Sequence, residues 1–473
     1  MELSRIVAAK IDGRTQNTRY RQTQFQRLQS ILVENIAEIQ DAIRTDSGHT
    51  RSEVRAEVVL ALQELRTHYV SLDMSKDLEI EYRIKNGKDN LDASCGIGIV
   101  YIVPTTHTLF FSIISALTAA LAAGNCIVLE LPQTTMSLPV ILRKILPDAL
   151  DHDTFTIVSQ RPDSSFMNNC FLVSQIQSES PKGLLSPAAS RTVAIVDRTA
   201  NINEAAQALV AARFALGGRS VYAPDVVLVN EFAMKPFIEA VIQHSSRYLA
   251  GENGEARQQQ ISSRRSALLD SIHKERSARV LVSGSNWGVV EVQNRKSPLL
   301  KKKIEEKLLV VHPVTSLDDA IDMNFNETFT ATYAFAEPAS AKYLTQFIDA
   351  DISWVNHVPS HMLVGPALPR NTLYSHDTRY SREVFQIPRP QLINAPAKAY
   401  ATQKILANEN TLKSDALWRE AISPLSSMKQ RAGFKIGFFE QGILTGVSLT
   451  LMSLIGVVGT LGYYTWAYVR TRG

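Results

Sequence analysis

Phe110 to Leu129 reads FFSIISALTAALAAGNCIVL, and this stretch decides the fold. Its first fourteen residues, Phe110 to Ala123, hold no charge and are apolar on every side of a helix, so such a helix belongs inside a core. It is too short to cross a bilayer. Gly124 and Asn125 follow; both residue types enter the left-handed conformation cheaply, so they are expected to stop the helix and turn the chain. Cys126 to Leu131 (CIVLEL) then reads as a short buried strand.

Outward from this stretch the alternation continues. Gly96 to Val103 (GIGIVYIV), Thr192 to Asp197 (TVAIVD) and Val226 to Asn230 (VVLVN) are β-branched runs, and Asn203 to Leu216 is apolar at helical length. Strands alternating with helices predict an α/β fold with doubly wound parallel sheets covered on both faces. Upstream, Phe25, Leu28, Ile31, Leu32, Ile36 and Ile39 fall at three- and four-residue steps within Tyr20 to Arg44, and Glu53 to Val70 does the same, which predicts amphipathic helices. With 473 residues, 45% hydrophobic and 20% charged, the chain fills the cores of two or three domains. Fifty Lys+Arg against 46 Asp+Glu leave +4, too weak a field to argue for nucleic acid.

The three cysteines, Cys95, Cys126 and Cys170, have no metal-ligand spacing, so no metal is expected and a reducing compartment is the simplest reading. Cys95-Gly96-Ile97-Gly98 lacks the third glycine of the dinucleotide fingerprint. His357 and His361 share a helical spacing without an acidic partner, which reads as a surface pair. Leu300 to Lys303 with Lys307 reads as a solvated basic face, with anionic lipid headgroups as the other reading.

The C-terminal end obeys a different solvent. Gln441 to Val469 carries no charged side chain, and Gly442 to Tyr464 as a helix would reach about 34 Å, enough for a hydrocarbon core of about 30 Å. Tyr463, Tyr464, Trp466 and Tyr468, then Arg470 and Arg472, mark an interfacial edge. Met1 to Gln40 carries Arg5, Lys10, Asp12 and Arg14 among its apolar residues, unlike a secretory signal. The expectation is a single-pass tail anchor at the membrane with a cytosolic body, joined by a polar linker that holds Pro388, Pro390, Pro396 and Pro424.

An apolar helix ending in Ala122-Ala123-Gly124-Asn125 and followed at once by a buried strand resembles the aldehyde dehydrogenase superfamily, where that strand carries a cofactor-binding lysine. Arg213 to Asp225 (RFALGGRSVYAPD) is similar to the family's nucleophile segment, and its Ala-Pro-Asp ending looks like the class 3, fatty-aldehyde branch, whose members can carry a C-terminal hydrophobic anchor. Fainter echoes are Val310 to Ile321, Trp354 to Asn356 and Glu383 to Phe385, so the resemblance spans about Gln24 to Leu392. It implies two doubly wound domains: a degenerate dinucleotide-binding-like domain with bridging strands over 1–205 and a catalytic-like domain over 206–387. A linker over 388–441 and a transmembrane anchor over 442–469 complete the chain. It also implies a homo- or hetero-dimer made through a bridging hairpin and a shared sheet.

The departures from the family concern function. Aligned through Ala223-Pro224-Asp225, the nucleophilic cysteine becomes Val221, whose isopropyl group cannot attack a carbonyl. The general-base glutamate becomes Pro187, the oxyanion asparagine becomes His107, which can still donate a hydrogen bond, and the cofactor lysine becomes Glu130. The Gly-Ser turn over the pyrophosphate is missing near Leu172 to Ile176, and the ribose-gripping motif is replaced around Lys303 to Lys307. No catalytic or cofactor-binding family position is intact, so no cofactor is expected. The first reading is a membrane-anchored, non-catalytic scaffold or partner. Active NAD- or NADP-dependent oxidation of a long-chain aldehyde, with a constellation such as His107 and Ser220, is the alternative, and a lipid-binding module is the third.

Overall fold

The structure, a computed structural model, describes residues 2–176, 183–254, 278–370, 372–396, 398–407, 409, 412–429 and 437–472. It divides into two units, Met1–Asn394 and Ala395–Gly473.

In the first unit, β1 (Ser94–Gly96) is followed by β2 (Ile99–Val103), β3 (Cys126–Glu130), β4 (Phe155–Val158), β5 (Cys170–Ser174) and β6 (Gly183–Leu185). Strands β2 to β6 form a five-stranded parallel sheet in the order β4-β3-β2-β5-β6. Winding runs outward from β2 in one direction, then restarts on its other side with β5. This creates a switch point between β2 and β5, and in such sheets the ligand crevice lies beyond the carboxyl ends of the strands at that point.

The chain passes to a second sheet between Leu185 and Thr192. Its strands are β7 (Thr192–Val196), β8 (Val226–Asn230), β9 (Ala278–Ser283), β10 (Trp287–Val292), β11 (Lys307–Val314), β12 (Ala331–Phe335) and β13 (Ser353–Val355). Their order is β13-β12-β7-β8-β11-β10-β9, parallel except for the β9–β10 pair. A final strand, β14 (Gln386–Pro388), pairs antiparallel with β1, Cys95 opposite Ile387. The doubly wound α/β class expected from the alternation is the one observed.

The helix read from the opening stretch spans Leu109–Ala122, and all of its residues are buried. It packs against the Arg51–Val70 helix, with Ser112, Ala116, Ala119 and Ala120 small enough to allow close approach. Its first N–H groups need acceptors, and Thr108, at φ 45°, offers no side-chain cap. Glu57 of the neighbouring helix supplies one instead: its Oε1 accepts from Phe110 N at 3.1 Å and Phe111 N at 3.3 Å. One to two turns on, Ser115 Oγ donates to Glu64, whose other oxygen accepts from Arg379 N at 2.7 Å. Burial pushes both carboxyls up to about 7.

Gly124 ends the helix as expected, at φ +83°; a Cβ there would lie 2.9 Å from Thr15 O. Asn125 works differently, because it is not left-handed. Its Oδ1 accepts from Gly98 N at 2.8 Å, and its Nδ2 donates to Ala120 O and Phe385 O, both at 3.1 Å, tying helix end, β2 and the β14 approach together. The expected Tyr20–Arg44 helix is two, Thr18–Glu34 and Ile36–Ser47, meeting at Asn35.

In the second unit, helices Ala399–Leu406 and Leu412–Ile422 occupy part of the expected linker. The prolines at 388, 390, 396 and 424 lie outside them, which leaves 397–423 free to coil. The last helix, Phe438–Arg472, contains a 32-residue stretch, Glu440–Thr471, long and apolar enough to cross a membrane. Its hydroxyls are satisfied within the helix: Thr445, Ser448, Thr450, Ser453, Thr460 and Thr465 each donate to the carbonyl four residues earlier. A hydroxyl paired in this way needs no water.

Candidate functional site

The centre of the site is the loop between the Ile202–Phe214 helix and β8. Leu216 (φ 50°), Gly217 (φ 71°) and Gly218 (φ 71°) are left-handed in succession. A side chain at Leu216 makes that conformation costly. It is held by Glu53, whose Oε1 accepts from Leu216 N at 2.7 Å while the same residue closes a capping box with Thr50. Gly218 lies so close to Glu306 that a Cβ would come within 2.5 Å of its carbonyl, so only glycine fits.

Beneath the loop lies a buried charged frame. The fully buried Arg213 donates to Gly218 O, Ile304 O at 2.7 Å and Glu306 O at 3.1 Å, and pairs with Asp225 at 3.5 Å. Asp225, equally buried, accepts from Thr192 N and Ile304 N at 2.8 Å and from Lys303 Nζ at 3.1 Å. Lys303 also reaches Ser190 O at 3.0 Å and Val221 O at 3.1 Å. This corrects the solvated-face reading for Lys303: Lys301 and Lys302 are exposed, whereas Lys303 turns inward. Burial pulls its pKa down, and the Asp225 carboxylate opposes that.

Val221 sits on this frame. Its carbonyl accepts from Thr192 Oγ1 at 2.7 Å as well as from Lys303, and its side chain packs against the main hydrophobic cluster. Ser220 is 1% exposed; its Oγ accepts from Tyr222 N at 3.3 Å, and no histidine or carboxylate hydrogen-bonds to it among the described residues. Pro187 is buried, and its carbonyl accepts from Thr330 Oγ1 at 3.3 Å. Lys303 and Thr192 thus stitch the Pro187–Arg191 segment to the Val221 loop.

His107 follows β2 at the switch point. Its Nε2 lies 3.0 Å from Leu363 O, and since a carbonyl only accepts, Nε2 carries the proton. Nδ1 is buried and has no hydrogen-bond partner among the described residues. Burial pushes the ring down to about 4, so it is neutral near pH 7. The hydrogen-bond donor expected of His107 is already spent on Leu363. At the same switch point Gln175, 1% exposed, accepts from Thr105 N at 3.1 Å and donates to Ser112 O at 2.7 Å, bridging the ends of β2 and β5. Glu130 lies apart from Val221, at the carboxyl end of β3, where Tyr101 OH donates to it at 2.7 Å and Arg161 Nε at 3.3 Å.

Two cavities of about 530 Å³ each lie on the first unit, one of them bordering the loop. One is floored by Glu64, Phe111, Met362 and Arg379; the guanidinium of Arg379 stands 5.5 Å from the Tyr222 ring and 5.8 Å from the Phe111 ring. The other is walled by Ala211, Ala215, Leu216 and Leu363. Among the described residues no group of three metal-type ligands occurs, and His357 is exposed with Nδ1 2.9 Å from Val355 O. All three cysteines are free, and burial raises the thiols of Cys126, to about 12, and Cys170, to about 11.

Sequence reasoning missed Gln175, Glu53 and the inward turn of Lys303. A glutamate in a capping box gives no sign of a second duty 163 residues away, and one lysine in a basic run looks like the next. A glutamine at a strand end carries no mark of its two contacts.

Residues 8–168 match the aldehyde dehydrogenase family. The rat protein aldehyde dehydrogenase family 3 member B1 is 27% identical over 369 residues, covering 69% of this chain and 75% of its own. The rat dimeric NADP-preferring aldehyde dehydrogenase is 22% identical over 393 residues, covering 76% and 85%. Among solved structures, the substrate-bound AldH of Staphylococcus aureus superposes with a TM-score of 0.66 at 16% identity, over 89% of this chain and 98% of that one. The chain carries the aldehyde dehydrogenase fold, and its sequence is similar to family 3 aldehyde dehydrogenases.

Proposed function

We propose that this chain is a membrane-anchored aldehyde dehydrogenase relative that does not perform the dehydrogenase reaction and acts as a scaffold or partner. The observation that carries this reading is Val221 at the apex of the loop aligned with the family's nucleophile. No thiol stands there, and the neighbouring Ser220 has no base hydrogen-bonded to it. Pro187 offers no carboxylate in place of the base, and the single N–H of His107 is engaged by Leu363.

The residues at the switch point do not fit a dinucleotide. Binding one requires donors and positive charge at the strand ends. Here β3 ends on a carboxylate held by Tyr101 and Arg161, and Gln175 spans the gap between the two central strands. No catalytic step through NAD or NADP is therefore derived.

The body is placed on the cytosolic side of a membrane by a single C-terminal span. A homodimer or mixed dimer agrees with the description of the rat relative as dimeric. Isothermal titration of the full chain in detergent with NAD and with NADP tests the reading, and no heat at micromolar cofactor is expected. Micromolar binding, or turnover of a long-chain aldehyde by the purified chain, would overturn it; turnover lost in Ser220→Ala would point to the active alternative.

A further inference from the structure

In the second unit, the Leu412–Ile422 helix and the chain after it expose a series of large apolar side chains. Trp418 is 62% exposed, Ile422 62%, Leu425 100% and Met428 83%. They recur at steps of four, three and three residues. Soluble surfaces scatter such residues singly; a contiguous series needs a covering. Ser414, one turn before Trp418 on the same face, is buried against the preceding segment, and Lys398 of that segment pairs with Glu420, on the opposite face, at 3.6 Å.

We infer that Trp418 to Met428 lies in the interface of the same bilayer that the Phe438–Arg472 helix crosses. Reach is the first argument. Nine residues lie between Met428 and Phe438, a reach of at most about 35 Å fully extended, so the series stays within that distance of the start of the last helix. Chemistry is the second. Tryptophan suits the headgroup level, where its ring is in apolar surroundings and its N–H in wet ones. Arg419 and Lys429, exposed beside the apolar residues, match the negative surface of a cytosolic leaflet. Trp466 with Arg470 5.0 Å from its ring repeats the same pairing near the far end of the last helix. The segment would therefore add a second membrane contact beside the last helix, a role that a bare tether does not supply. This inference rests on the anchor reading of the last helix.

Full-length chain in nanodiscs of phosphatidylcholine and phosphatidylserine, with and without acyl-chain bromine near the headgroup, provides the test by tryptophan quenching. Trp287 and Trp354 are 2% and 8% exposed and give a common background, so Trp466→Phe isolates Trp418 and Trp418→Phe isolates Trp466. Brominated lipid is expected to quench the Trp466→Phe chain well beyond the double variant. Equal quenching of those two overturns the inference while leaving the anchor standing, provided Trp418→Phe is still quenched. Blue-shifted Trp418 emission untouched by bromine would mean that the protein body or a second copy covers the series, and also overturns it. If Trp418→Phe is not quenched either, the anchor itself fails.

Discussion

Two sets of buried polar groups in the body invite comparison. Glu57, Arg213 and Asp225 each answer several backbone groups at once, Glu64 answers one backbone amide and one hydroxyl, and together they hold the buried helix and the loop that carries Val221. His107, Glu130, Pro187 and Val221 stand where the related enzymes are expected to keep their chemistry, and each makes one or two polar contacts across the fold, to Leu363, to Tyr101 and Arg161, to Thr330, and to Thr192 and Lys303. The first set fixes the architecture around the site, and the proposed loss of dehydrogenase chemistry rests on the second. Backbone strain at Leu216 and the close approach of Gly218 to Glu306 belong to the first set, so the loop's shape does not depend on a nucleophile.

The largest effect should come from breaking the frame. Asp225→Ala leaves Lys303 and Arg213 as buried cations without their carboxylate and strands Thr192 N and Ile304 N. Removing one partner from such a buried pair costs about 3–5 kcal/mol. Thermal unfolding of the detergent-solubilised chain should show a drop of several degrees, with Asp225→Asn in between because it keeps an acceptor for the two amides. An unchanged melting temperature in Asp225→Ala would mean that the frame does not hold the loop.

A second prediction concerns pH. The folded pKa of Glu64, about 7, lies above its ordinary 4.5, so the fold disfavours its ionised form. Stability linked to this group is fully present below pH 4.5 and is lost as pH rises through 7. Glu64→Gln has no charge to bury. At pH 8 it should be more stable than the parent by about 3 kcal/mol, from about 2.5 pKa units at 1.36 kcal/mol each, and at pH 4.5 the two should converge. Chemical denaturation at the two pH values decides this. A difference that stays constant with pH would show that the fold does not raise the Glu64 pKa.

The legibility of these two sets in the sequence differs for a physical reason. Period and composition exposed the Leu109–Ala122 helix and the strands beside it, since burial on all sides leaves a continuous apolar run. The stop at Gly124 was equally legible, because one residue type suits that backbone. The role of Asn125 was not: its side chain reaches Phe385, 260 positions away, and nothing local encodes that. For the site, motif alignment spoke only of residue types. It could not show that the His107 donor is taken by Leu363, 256 positions on, or that Lys303 points inward while its neighbours face water. Identity is local information, whereas hydrogen-bond occupancy depends on the fold.

The smallest effect is expected where the comparison is sharpest. Val221→Cys returns a thiol to the loop apex and changes little volume, so the loss of stability should stay below about 1.5 kcal/mol. The frame would present the sulfur as it now presents the isopropyl group, but several functions would still be missing. Pro187 has no proton-accepting side chain, the His107 N–H remains with Leu363, and Gln175 and Glu130 remain at the strand ends. A thiol without a base or a stabilising cation stays largely protonated near pH 7; although Lys303 is close, its Nζ is shared among Asp225 and two carbonyls. The variant should be alkylated slowly by iodoacetamide and should form no NADH from a long-chain aldehyde. Rapid NADH formation from this single change would show that the scaffold still carries the rest of the chemistry and that the nucleophile alone was lost.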